Sequence, residues 1–494
     1  MTGVTGMTRL IALATGAVLV AFAGGYGWHR DEFYYLRAGL HPALGYVDQP
    51  PLTPLIAGAG YQLFGDWLVG FRLPAALAAA LTVLLTGALA GQLGAGRGGR
   101  ALAAGAVAVS AFPIATGHVV STSTFDLLAW TALSLLLVRA VRDGGPVWLA
   151  AGAVAGLGLQ NKALIIALPA AVALGLLAVG PRSALRGRWP WLGAGVALLI
   201  WAPHLAWQAA NGWPQLTMAD SIATVGNGGS VGRWLFLPFQ LVLFSPLLVP
   251  IWLAGWRALH REPALRSFAV AFPLLAVLLL AAGGKPYYLA GMYPLLLAAG
   301  AQPTLRWVAR AAGPRAARLR RGLLAGALAF SAAITAVLML PVLPARLLPG
   351  TPIVAIQPIS AESIGWPEFT AAVSAAYRAI PPPEQAETVA LTRNYGQAGA
   401  IDLFRDRDPS ALPPAYSGHN AYYSWGPPPE SARTVVAVGV DETRLREWFG
   451  SVRPAGRVDN GIGLDNEEQG RPIWLCRDRR VPWAVIWPAL RRVG

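Results

Sequence analysis

Apolar runs about as long as a bilayer is thick recur from residue 9 to residue 343, and they leave few folds open. A helix needs about 20 apolar residues to cross the hydrocarbon core. Lipid offers the backbone no hydrogen-bond partner, so each crossing must satisfy its own amides internally. Eleven segments fit this requirement: 9–28, 68–91, 102–117, 125–141, 147–160, 163–179, 191–208, 234–256, 267–283, 287–303 and 322–343. Only 13% of the residues are charged, against about 25% in a soluble globule. The expectation is a polytopic α-helical membrane protein. Its first run lacks a small-residue cleavage site and leads straight into a polar stretch, so it is read as a retained span.

The net charge of +15 invites a nucleic-acid reading, and its distribution excludes one. Residues 1–349 hold 24 basic and 8 acidic side chains, whereas residues 350–494 hold 15 and 16. The excess therefore belongs to the membrane part, where basic loops set orientation. Alternate loops carry seventeen basic residues, from Arg9 through Arg97 and Arg182 to Arg321. The opposite loops carry six: Arg30, Arg37, Arg72, Lys162, Arg233 and Lys285. This puts the N-terminus in the cytoplasm and residues 350–494 outside. The single cysteine, Cys476, allows no intrachain disulfide.

Residues 1–349 read as a transmembrane domain with a first outer loop over 29–67. Residues 350–494 read as a small extracytoplasmic α/β domain. Helical stretches Trp366–Ala379 and Glu442–Phe449 alternate there with apolar strands Thr388–Leu391 and Thr434–Val440. The proline triplets at 381–383 and 427–429 mark loops. No phosphate-binding loop is present, and no nucleotide cofactor is expected.

Six of the eight acids in residues 1–349 fall on the outer side, among them Asp31, Glu32, Asp48 and Asp126. In HRDEFYYLRAGLHPALGYVDQPPLTP, residues 29–54, Asp31 and Glu32 directly follow the first span. Such acids can cap a helix, serve as a general base, or bind a cation. The segment Phe33–Leu36, which includes Tyr35, is expected to lie in the membrane interface. Asp48 precedes a rigid proline-rich re-entry turn. Asp126 opens the fourth span in HVVSTSTFDLLAW, where Ser121 to Asp126 form a helix-start signal. Against 37 arginines stand two lysines, Lys162 and Lys285, both at outer span ends. A compact ammonium is not interchangeable with a guanidinium. Lys285 sits in GGKPYYLAGMYP beside Tyr287 and Tyr288, a combination suited to a phosphate. His29, His118 and His204 lack metal-ligand spacing.

The stretch DEFYYLRAGLHPALGYVDQPPLTP resembles the first outer loop of bacterial membrane glycosyltransferases of the GT-C superfamily. More narrowly, it resembles the protein O-mannosyltransferase-like and aminoarabinose-transferase-like group. TFDLLAW, GGKPYYLAGMYP and NYGQAGAIDLF…YSGHNAYYSWGPP fit the same group, so the resemblance covers nearly the whole chain. It implies an inverting transferase in the bacterial cytoplasmic membrane. Its donor would be a polyprenyl-phosphate-linked sugar, and its acceptor a glycan, lipid or protein of the cell envelope.

The resemblance assigns Asp31 as the catalytic carboxylate, with Glu32 beside it and Asp126 as the second-loop acid. Lys285 matches a basic position near the donor phosphate, with Tyr287 and with Arg72 or Lys162 as further phosphate ligands. Asp48 and Asp126 would orient sugar or acceptor. Asp31, Glu32 and Asp126 are also the acids that could hold a divalent ion, Mg or Mn. Aminoarabinose transferases tend to carry a lysine just before the first-loop proline, where this chain has Gln49. The sugar and the acceptor are therefore left open. A transporter or flippase of a lipid-linked sugar is the alternative, although transporters usually carry inverted repeats and midplane polar groups that are not seen here.

Overall fold

The computed structural model describes residues 4–225 and 233–494. All eleven apolar segments fall on helices. The first is α1 (Gly6–Phe22). Two helices of the 29–67 segment follow, α2 (Arg30–Leu40) and α3 (Leu52–Phe64). Next come α4 (Leu68–Gln92), α5 (Arg97–Ala108), α6 (Ala111–His118), α7 (Thr122–Asp143), α8 (Val147–Leu159), α9 (Ala167–Ala178) and α10 (Arg188–Ala210). The bundle is completed by α11 (Pro214–Val225), α12 (Phe236–Val242), α13 (Val249–Arg261), α14 (Arg266–Ala281), α15 (Tyr293–Ala309) and α16 (Pro314–Met339).

Among the described residues, α4, α7, α10 and α16 are single helices long and apolar enough to cross a membrane. The pairs α5–α6 and α12–α13 pass the same test together, bent by 59° and 83° at their breaks. α16 has a mean hydropathy of 2.1 in its most apolar window, yet only 11% of that window is buried. Leu323 and Phe330 stand exposed on it. Apolar surface of that extent marks a contact surface, and on a helix this long and apolar it suits lipid. The side chain of Arg233, one of the six outer basic residues, lies outside the described residues.

The C-terminal region carries a five-stranded sheet in the order β2-β1-β3-β5-β4. Its strands are β1 (Thr388–Thr392), β2 (Ala415–Ser417), β3 (Thr434–Val438), β4 (Phe449–Arg457) and β5 (Pro472–Arg479). β2 and β3 both run parallel to β1, β5 is antiparallel to β3, and β4 is antiparallel to β5. β1 and β3 are buried throughout, so they read as continuous apolar runs. β4 is mostly exposed, with only Phe449 and Val452 buried, and it contains Pro454 and Gly456, which hides it from a hydropathy reading.

The 29–67 segment departs from expectation. It does not lie half-immersed in an interface. Glu32, Phe33, Tyr34, Tyr35, Leu36, Arg37 and Ala38 are all buried, so α2 is covered on every side. It packs on α3 and on the helix Tyr395–Arg407 of the C-terminal region. Both crossings depend on glycine. A Cβ on Gly39 would come within 2.8 Å of the Gly58 backbone, and one on Gly399 within 2.7 Å of Phe33. One apolar cluster accordingly runs from Trp28, Phe33 and Phe71 to Trp366 and Phe369.

Candidate active site

The first turn of α2 brings the site together. His29 caps the helix, its Nδ1 accepting the Asp31 N–H at 3.1 Å while its Nε2 sits 2.9 Å from Glu362 Oε2. Glu32 completes a capping box by accepting the His29 N–H at 2.9 Å. The two acids of this turn then part company.

Glu32 points into the bundle and is wholly buried. Its Oε1 accepts from Arg72 Nε and from the Val120 N–H, both at 2.9 Å. Its Oε2 accepts from Arg72 Nη2 at 2.7 Å as well as from His29. Arg72 also donates to the Ala23 and Gly27 carbonyls, at 2.6 and 2.8 Å. Both side chains are saturated by protein partners. The expectation that Glu32 and Arg72 bind substrate, phosphate or metal is therefore corrected. They are a buried structural ion pair that ties α1, α2, α4 and the Val120 turn together.

Asp31 points the other way and keeps about a quarter of its side chain exposed. Its Oδ1 accepts the Tyr395 hydroxyl at 2.8 Å, with Arg30 Nε at 3.4 Å. Burial alone would raise the Asp31 carboxyl. Arg30, His29 and the Tyr395 hydroxyl outweigh it and hold the pKa below the ordinary value. Arg30 is itself anchored to Glu467 at 2.9 Å and Glu362 at 3.3 Å.

Other expected residues gather around Asp31. Lys285 is half-buried and within electrostatic reach of Asp31, Arg30 and Glu362. Burial lowers its pKa, and Asp31 and Glu362 offset that in part. Lys162 lies within reach of both Lys285 and Asp126. Its ammonium stands 5.3 Å from the Tyr287 ring centroid and 4.8 Å from that of Tyr288. The two tyrosines thus flank Lys162 with their ring faces, where the sequence places them beside Lys285. Neither lysine has an ion-pair or hydrogen-bond partner among the described residues.

The Gln160–Lys162 turn is pinned from below. Thr53 donates to Asn161 Oδ1 at 2.6 Å, and Asn161 Nδ2 donates to the Thr122 carbonyl at 2.8 Å. Asp126 follows on α7, but the cap of that helix is Ser121, which accepts the Thr124 N–H. Asp126 Oδ1 is left buried without a hydrogen-bond partner.

Asp48 accepts the Tyr34 hydroxyl at 2.5 Å. Burial, with a further push from Asp31, raises its carboxyl to about 6. Tyr35 lies within reach of Asp31, Asp48, Tyr395 and Tyr287. Gln49 is 3% exposed and neither amide atom has a partner. Leaving such groups unpaired costs about 1–3 kcal/mol each.

Among the described residues no three His, Cys, Asp or Glu side chains gather as a metal site. Glu32 has no free oxygen, so the three acids named as metal ligands do not fit a divalent ion together. Sequence reasoning missed Tyr395, Arg30 and Glu362. NYGQAGAIDLF contains Tyr395, but nothing in that stretch says it reaches back 364 positions to Asp31.

Residues 48–207 match the family model of dolichyl-phosphate-mannose-protein mannosyltransferases. Comparison with curated protein sequences found no match. Among solved structures, the chain is similar to ArnT from Cupriavidus metallidurans in the apo state. The TM-score is 0.61 at 15% identity, over 94% of this chain and 97% of that one. ArnT bound to undecaprenyl phosphate gives 0.58 at 16% identity with the same coverage. The oligosaccharyltransferase AglB from Archaeoglobus fulgidus, in complex with an inhibitory peptide and a dolichol-phosphate, gives 0.51 at 12% identity. That match covers 88% of this chain and 70% of that one.

Proposed function

We propose, from its GT-C fold of membrane glycosyltransferases, that this chain transfers a sugar from a polyprenyl-phosphate donor to a cell-envelope acceptor. The transfer takes place on the outer face of the bacterial cytoplasmic membrane. The N-terminus is then cytoplasmic and the C-terminal α/β region extracytoplasmic, in line with the bias of basic residues.

The observation that carries the reading is the grouping of Asp31 with two lysines. Asp31, ordered by Tyr395, lies within electrostatic reach of Lys285, and Lys285 in turn of Lys162, and neither lysine is in a direct ion pair among the described residues. An acceptor hydroxyl or amine held on Asp31 attacks the anomeric carbon. As its bond to carbon forms, its proton passes to Asp31 while the bond from carbon to the phosphate oxygen breaks. The configuration inverts and polyprenyl phosphate leaves. A carboxylate held this acidic is a weak base. It takes the proton late, once bond formation has made the nucleophile acidic. Lys285 and Lys162 would offset the charge on the departing phosphate, and a charge offset of this kind usually supplies the largest share of such catalysis. Asp48, Asp126, Tyr35 and the unpaired amide of Gln49 would orient sugar and acceptor.

The test is mass spectrometry of lipids that co-purify with wild type and Asp31→Asn. A polyprenyl-phosphate sugar retained by the variant and depleted in wild type supports the reading. If neither sample holds polyprenyl lipid above an unrelated membrane protein, the reading fails.

A further inference from the structure

The C-terminal region holds a cleft of about 670 Å³ that the proposed transfer does not use. It lies at the carboxyl ends of the parallel strands. β1 sits between β2 and β3, so the connection that leaves β1 goes to one neighbour and the next strand crosses to the other. The loops after β1 and β3 therefore diverge, and open α/β sheets bind ligands in the crevice left at such a point. Thr392 and Arg393 form the lip after β1, and Gly439, Val440 and Asp441 the lip after β3. Gly439, at φ +68°, allows that turn. The last wall is the segment Leu490–Arg492, held by Arg492 N–H donating to the Gly418 carbonyl at 2.9 Å.

Five arginines converge here: Arg393, Arg444, Arg471, Arg491 and Arg492. None is within ion-pair distance of a carboxylate among the described residues. Elsewhere in the same region Arg433, Arg446, Arg477 and Arg479 each have one. The two acids at the rim are already engaged. Asp441 Oδ1 accepts the Thr443 N–H at 2.9 Å, and Glu442 pairs with Arg446 at 2.6 Å. Five like charges brought together in one crevice repel one another until an anion enters. Guanidinium groups bind phosphate and carboxylate through paired hydrogen bonds.

We propose that this cleft is a binding site for an oligo-anionic ligand, a saccharide-sized group carrying two or more phosphates or carboxylates. Its volume falls in the usual range for small-molecule sites, about 300–1,000 Å³. The site stands apart from the proposed transfer, and its test needs no turnover. It nevertheless backs onto the candidate active site. Arg393 is two residues from Tyr395, which holds Asp31, and Gly418 adjoins His419, which stacks on Tyr395 at 4.5 Å.

The test is calorimetric titration of the full chain, in uncharged detergent, with inorganic pyrophosphate. Arg393→Ala/Arg492→Ala is expected to weaken binding at least about tenfold, the worth of one or two charged hydrogen bonds. Arg433→Ala/Arg453→Ala removes the same charge from other positions of this region and is expected to change it less than about twofold. Equal affinities in the two double variants, or no saturable binding to wild type, would overturn the proposal. Repeating the titration in nanodiscs with and without phosphatidylglycerol separates the sources. Competition by the anionic lipid assigns the site to a lipid headgroup, and its absence assigns it to a free or glycan-borne anion.

Discussion

The two faces of the first turn of α2 differ by one residue in sequence and by everything in environment. Toward the bundle, Glu32 is fully buried and accepts four hydrogen bonds, two of them from Arg72. Toward the candidate active site, Asp31 remains partly exposed and is held by Tyr395 and Arg30. A carboxylate whose lone pairs are all taken by protein donors can only hold structure. One with an open side, next to unpaired cations, can meet a substrate. Adjacent acids therefore carry separate duties, and each face can be broken without the other.

The largest expected effect is on the bundle face. Glu32→Ala leaves the Arg72 guanidinium buried without a counter-charge, at a cost of about 3–5 kcal/mol. That is a large part of the stability of an ordinary domain. Size-exclusion profiles in detergent should lose the monodisperse peak. Arg72→Lys should not restore it, because an ammonium cannot span Glu32 and two carbonyls at once.

On the active-site face, Asp31→Asn should keep the wild-type melting temperature within about 2 °C while transfer falls about 10²–10⁴-fold. A variant that unfolds, or one that stays fully active, would erase the distinction between the faces. Lys285→Ala should lower the rate about 10²-fold, as removal of a charge-stabilising group does, again with little change in melting.

Tyr395→Phe sharpens the comparison through pH. The Tyr395 hydrogen bond helps hold the Asp31 pKa down. Asp31 must be ionised to accept a proton, so activity is lost as pH falls through that pKa. Without the hydroxyl the pKa rises, and the acid limb of the rate profile should move to higher pH, with a loss of about tenfold at neutral pH. The smallest effect expected is that of a chelator. EDTA should change transfer less than about twofold, because Asp31, Glu32 and Asp126 do not form a common ligand set.

Much of the architecture was legible in the chain. Apolar length alone marks where the helices of the bundle fall, because lipid enforces internal hydrogen bonding on any crossing, and among the described residues four single helices and two bent pairs are long and apolar enough to cross. β1 and β3 were legible for the related reason that strands buried on both faces are continuously apolar. β4 was not, since an edge strand tolerates charge, proline and glycine, and neither was β5, an internal strand whose apolar run is broken by Arg477, Asp478 and Arg479. In the site, the sequence singles out Asp31, Lys162, Lys285 and the paired tyrosines by position and rarity. Position and residue type do not tell Asp31 from Glu32, since both follow the first span and both are acids, and only the family resemblance puts Asp31 first.

By itself, then, the sequence determined the helical membrane fold and a short roster of candidate residues. Only the tertiary structure decided their duties. Which acid meets Arg72 depends on how α2 is rotated between α3 and the helix Tyr395–Arg407, and that rotation is set by close glycine crossings and by contacts hundreds of residues apart. Hydropathy is a local property of the chain and survives in the sequence. The facing of a side chain is a property of packing, and it exists only once the neighbours are in place.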